Sequence, residues 1–219
     1  MKKSILAKMT KEIRESEEIP LDTIPDIELY MEQLLTFLNQ HLKAIVAKPD
    51  VPVFTKTMVN NYTKDGLLIP PKNKKYTKQH ILLLILIYNL KGILSISDIK
   101  RLFEPILRDM DTPDDDLLPL EDIYTTYLEL TEKHLAEFNE NFVQKLSFIT
   151  DKTAHLEGEN NVNDAQLFLS VLLLVSQASL SKKMAELIIE TYFAKKDKIP
   201  DTALPSDHEL NGVFKSPEK

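Results

Sequence analysis

A chain of 219 residues with 43% hydrophobic content and a net charge of −7 is long enough for one substantial core or two modest ones. It has no cysteine, which excludes a disulfide framework and any thiolate metal site. Its four glycines form no Gly-rich phosphate loop of the Rossmann or Walker type, and its apolar residues recur mostly at three and four positions, the helical period.

The opening MKKSILAKMTKEIRESEE lacks the apolar stretch and small-residue cleavage site of a signal peptide. The two most apolar runs, Ile81 to Tyr88 and Leu167 to Val175, fall short of the roughly 18 residues that cross a bilayer. The expectation is a cytoplasmic chain with no membrane partner. Residues 1–20 read as an N-terminal arm, with Ile5, Leu6, Met9 and Ile13 at the spacing of a short amphipathic helix that docks on the body or on a partner. From Asp26, the set Ile27, Met31, Leu34, Leu35, Leu38 and Leu42 predicts a helix with Pro25 near its first turn, ended by Pro49 and Pro52.

The next helix, 56–65, has clear ends. Thr55 is its N-cap, Phe54 staples onto Val59, and Gly66 takes the left-handed position after it, with Leu67 packing back on Tyr62. Met58, Val59 and Tyr62 share the face expected to be buried, while Thr57, Asn60, Asn61 and Lys64 line the other. That outer face carries no carboxylate. Amides, a hydroxyl and an ammonium suit phosphates and base edges, asparagine matching the N6/N7 edge of adenine; the plain alternative is a solvated helix face.

Leu67 to Tyr76, LLIPPKNKKY, predicts a two-stranded hairpin or wing with Lys72, Lys74 and Lys75 at its tip. Thr77 then caps a helix that is apolar almost all round to Gly92, the expected core helix, and Ser95-Ile96-Ser97-Asp98 forms a capping box for a further helix through Leu107. From Thr55 to Arg101 nine basic residues stand against Asp65 and Asp98, a balance of +7 within a chain of −7. A basic island in an acidic protein is the electrostatic footprint of a nucleic-acid module.

The order of these parts, TxxMVNNYTKDGLLxPP, a lysine-bearing wing, YTxxHI and LSISDIKRLF, resembles the MerR-type winged helix. It is closer still to a family of small bacterial proteins, domain-of-unknown-function family eighteen thirty-six, over residues 20 to 108. The resemblance implies a winged helix-turn-helix domain at 21–109 that binds double-stranded DNA in transcription regulation. Lys56, Thr57, Asn60, Asn61, Tyr62 and Lys64 would belong to its recognition helix and Lys72, Lys74 and Lys75 to its wing. MerR-type regulators usually carry Arg-Tyr-Tyr where this chain has Asn60-Asn61-Tyr62, so one guanidinium is missing from the groove. The rival function is a protein-protein interaction module with a winged-helix surface and no DNA binding.

Asp109 to Pro119, with five acids and two prolines, reads as a linker. Beyond it, 119–195 reads as a C-terminal helical bundle for dimerisation or effector sensing. Tyr124, Leu128, Leu135, Phe138, Phe142 and Ile149 form an a/d-like stripe over 120–151. That stripe serves either a coiled-coil homodimer or an intrachain bundle. His155 to Asn163 makes the turn, Leu167 to Leu180 is apolar enough to require surrounding, Met184 to Phe193 is a last amphipathic helix, and 196–219 is a flexible tail. The fold class expected is therefore all-α with a small β-hairpin wing. The five histidines have no ligand spacing and most are expected at the surface, Asp114-Asp115-Asp116 does not match an EF-hand, and no nucleophile elbow is present. Neither catalysis, a metal nor a cofactor is expected; a small-molecule effector stays open.

Overall fold

The computed structural model describes residues 8–13, 18–42, 51–109, 119–156 and 158–193. The expected linker after Asp109, the tail beyond Lys195 and Ile5 and Leu6 of the arm lie outside the described residues. The fold is mostly helical with one small antiparallel sheet.

The core is built around helix α4, Lys78–Leu90, in which every side chain from His80 to Ile87 is buried. A helix apolar on all sides must be enclosed. Helices α2 (Met31–His41), α3 (Lys56–Lys64), α5 (Ile96–Asp109) and the start of α6 (Leu120–Thr153) supply the enclosure. Each fully buried leucine or isoleucine contributes about 1.5–3 kcal/mol. α4 is therefore the largest single source of cohesion. One continuous apolar cluster also takes in Ile19, Leu120, Tyr124 and Ile189. The buried Tyr124 hydroxyl donates to the Ile19 carbonyl at 2.7 Å, and burial pushes its pKa up to about 12.

Several expectations are corrected. The helix predicted from Asp26 begins only at Met31, because Leu21–Thr23 forms a 3-10 turn and Leu29–Tyr30 a short strand, β1. Ile27 is exposed as a result. Tyr30 N donates to Gln33 Oε1 at 2.9 Å, closing the first turn of α2. The predicted wing does not pair its own two strands. Strand β2, Lys75–Tyr76, pairs antiparallel with β1 in the register Leu29↔Tyr76 and Tyr30↔Lys75, and only the bridge Lys72↔Lys75 closes the tip. Pro70 and Pro71 have no N–H to offer a ladder, so the edge that β2 uses comes from the segment before α2.

His80 is buried rather than at the surface. Its Nδ1 accepts from Thr77 N at 3.0 Å, so it takes the capping-box position of a Glu or Gln. Desolvation lowers its pKa, against the Ile69 and Pro70 carbonyls, which favour its charged form without reaching hydrogen-bond geometry with Nε2. In the N-terminal helix α1, residues 8–13, it is Thr10 that turns inward, donating to Asn139 Oδ1 of α6 at 3.2 Å, while Met9 and Ile13 are exposed.

The second half departs furthest from expectation. Helix α7, Glu159–Ile188, runs without interruption into a π-helical turn, Ile189–Phe193, instead of dividing into two helices. It packs along α6 and returns to α5, where Arg101 meets Glu190 at 2.9 Å and Ile189 enters the main core. The run that had to be surrounded is not. Leu167, Phe168, Val171 and Val175 are each more than half exposed. By length and composition Val162–Phe193 is apolar enough to cross a bilayer, with 6% of its most apolar window buried, which corrects the reading of Leu167 to Val175 as an isolated short run.

Candidate nucleic-acid interface

α3 is held from both ends. Before it, the side chain of Asn39 on α2 clamps the backbone of Phe54: Oδ1 accepts from Phe54 N at 2.9 Å and Nδ2 donates to Phe54 O at 3.0 Å. Thr55 Oγ1 accepts from Met58 N at 3.2 Å, the expected N-cap. After it, Gly66 adopts φ +68°, and the N–H groups of Leu67 and Leu68 both donate to Tyr62 O, at 2.8 and 3.1 Å. Val59, Tyr62, Leu67 and Leu68 are buried beneath, so the rotation of the helix about its axis is set by packing.

That rotation leaves Lys56, Thr57, Asn60, Asn61 and Lys64 exposed. Tyr62 is on the opposite face, with its phenol in the core and its pKa raised by burial. It supports the exposed face from below instead of sharing in it. The lysine-rich segment forms a tight turn in which Lys75 N donates to Lys72 O at 2.9 Å. Asn73 and Lys74 take φ of 52° and 63°; consecutive left-handed residues make the turn type that suits a twisted ribbon. Lys72 and Lys74 stand exposed at its tip. Lys75 does not stand with them: Glu28 Oε2 sits 2.8 Å from its Nζ, and that hydrogen bond raises its pKa.

The basic island thus divides. Lys78 pairs with Glu121 at 2.8 Å and Arg101 with Glu190, so both bind the module to its acidic second half. Lys91 lies over the rings of Phe54 and Tyr88, at 4.7 and 5.2 Å, with its pKa lowered by burial. Lys100 joins the site although the reading of the α3 motif passes over it. Its Nζ lies 3.6 Å from where a Cβ on Gly66 would be, beside the C-terminal end of α3, where the helix dipole favours a cation. The first turn of α5, capped by Ser95 accepting from Asp98 N at 3.1 Å, carries it there. The capping box marked that helix in the sequence, but not its approach to Gly66.

The arrangement presents one helix face rich in donors, with Lys56, Lys64 and Lys100 along it and one exposed carboxylate, Asp65, at its C-terminal end, and a turn carrying two further lysines. Such a face can donate to phosphate oxygens from several directions and offers two amides to base edges. Residues 19–127 match the family model described as Domain of unknown function (DUF1836). No curated protein and no solved structure matches the chain.

Proposed function

Since residues 19–127 form a DUF1836 domain, we propose that this domain is a winged helix-turn-helix variant that binds duplex DNA as part of a homodimeric transcription regulator. α3 enters the major groove, and Lys72 and Lys74 contact the phosphate backbone. The observation that carries this reading is the face of Thr57, Asn60, Asn61 and Lys64, held outward by a clamped, capped helix and free of carboxylates. Phosphate contacts by Lys56, Lys64 and Lys100 orient the helix, and Asn60 and Asn61 read bases.

The test is fluorescence anisotropy with random and selected duplexes at two salt concentrations. Binding weakens with salt at a slope of about −0.9 per phosphate contact, so replacing both Lys72 and Lys74 by Ala lowers the slope by roughly 2 for every sequence alike. Asn60→Ala or Asn61→Ala instead changes sequence preference, by about 1–3 kcal/mol at the base it reads. Absence of binding at low salt overturns the proposal and leaves a protein-interaction surface as the reading of the same face.

A further inference from the structure

The long α6–α7 hairpin is arranged inside out. Along the stripe that α7 turns toward α6 lie Gln166, Ser170, Leu173 and Gln177, less exposed than their neighbours and three of them polar, with Gln166 Nε2 donating to Thr153 Oγ1 at 3.0 Å. The opposite side carries the large apolar residues. Phe168, Val171, Leu172 and Val175 are 65%, 58%, 49% and 60% exposed there, with Leu167, 57% exposed, on the flank.

The charges on α7 say what covers that face. Ala165 to Ser181 contains no charged residue, and over this stretch the helix rises about 25 Å. Asp164 precedes the stretch and Lys182 and Lys183 follow it. We propose that the outer face of α7 docks antiparallel on the same face of a second copy of this chain, with the two-fold axis level with Leu173 and passing between Val171 and Val175. Antiparallel docking sets Asp164 of each copy against Lys182 and Lys183 of the other, at both ends of the seam. Parallel docking would set like charges together at each end. Among the described residues the competing partner for these lysines is Glu186 at 3.7 Å from Lys182, an ion pair between half-exposed side chains and a weak competitor.

A lipid bilayer fits the same face poorly. α6 lies along α7 and exposes Glu129, Lys133, Glu137 and Glu140, charges that hydrocarbon penalises heavily, and the acidic balance of α6 opposes an anionic headgroup layer. The proposal specifies the dimer contact of the reading above. It rests on the dimeric part of that reading and not on DNA binding, so all measurements are made without DNA.

In sedimentation velocity the full chain runs at twice the monomer mass at micromolar concentration. Lys182→Glu with Lys183→Glu weakens the dimer at least tenfold, and adding Asp164→Lys restores it; these positions are exposed, and circular dichroism verifies that helix content is kept. Because the chain has no cysteine, each single-cysteine variant carries one thiol. Oxidation links Leu172→Cys to its counterpart, whereas Ser179→Cys, about 18 Å from its counterpart along an antiparallel pair, stays unlinked. The proposal is overturned by a monomeric full chain, including one that dimerises only once 194–219 are removed or that is carried down by phosphatidylcholine–phosphatidylglycerol vesicles. It is overturned equally by linkage at 179 as efficient as at 172, or by failure of Asp164→Lys to restore the charge-reversed pair.

Discussion

Asn39 is the residue through which the core dictates where α3 begins. Asn39→Ala removes two hydrogen bonds to the backbone of Phe54, at 2.9 and 3.0 Å. A net hydrogen bond stabilises by about 0.5–1.5 kcal/mol, and a polar group left unpaired in a partly buried site adds to the loss. The expected cost is about 2 kcal/mol, which for a chain of this size lowers Tm by about 4–8 °C. In urea unfolding followed by circular dichroism the midpoint falls while the slope is unchanged. Asn39→Asp sharpens the test. It keeps an acceptor for Phe54 N but faces Phe54 O with a second acceptor, so at pH 7 it costs at least as much as Ala, and below about pH 4 the protonated carboxyl regains a donor and recovers part of the loss. A cost below about 0.5 kcal/mol for Ala, or an Asp variant indistinguishable from the unmodified protein, refutes the clamp.

His80 and Gly66 give two further tests. Burial holds the His80 pKa below its ordinary 6.5, so the unfolded chain takes up this proton first and stability is lost as pH falls through about 6.5. His80→Gln keeps the cap of α4 and flattens the dependence of Tm on pH between about 6.5 and 5; equal slopes for the two proteins would refute the assignment. At Gly66 a Cβ meets Lys100 Nζ only at 3.6 Å, but φ is +68°. Gly66→Ala is therefore expected to cost about 1–2 kcal/mol from the left-handed backbone alone, measured by denaturant midpoint, and a cost above about 3 kcal/mol would point to a clash that the geometry does not contain.

What could be read in the sequence follows the range of the forces involved. The Thr55 cap, the Gly66 turn and the division of α3 into two faces depend on residues within a few positions of one another, and all are found as expected. The sheet is another matter. Two-residue strands at Leu29 and Lys75 show no alternation, and their pairing joins segments far apart in the chain. His80 misleads because an imidazole at the third helical position can act as the side-chain acceptor of a capping box, a role usually given to Glu or Gln. α7 misleads for a physical reason of its own: an apolar helix surface signals that something covers it, and within one chain the sequence does not say whether the cover is the same chain or another. At the candidate site the exposed α3 residues follow from helical spacing, whereas the engagement of Lys75 by Glu28 and the arrival of Lys100 depend on long-range packing.

The placement of Ile189 and Glu190 against α5 bears on how the protein is made. Domains form in the order in which the chain leaves the ribosome, at roughly 5–20 residues per second. The DUF1836 domain is complete as sequence at residue 127, but about 60 more residues must follow before Ile189 can close its core, a delay of roughly 3–12 s at that rate. During this interval α5 lacks its contact with Ile189–Phe193, while the apolar face of α7 emerges. Folding of this chain therefore ends with a single helix whose C-terminal end seals the core and whose middle carries an exposed apolar face.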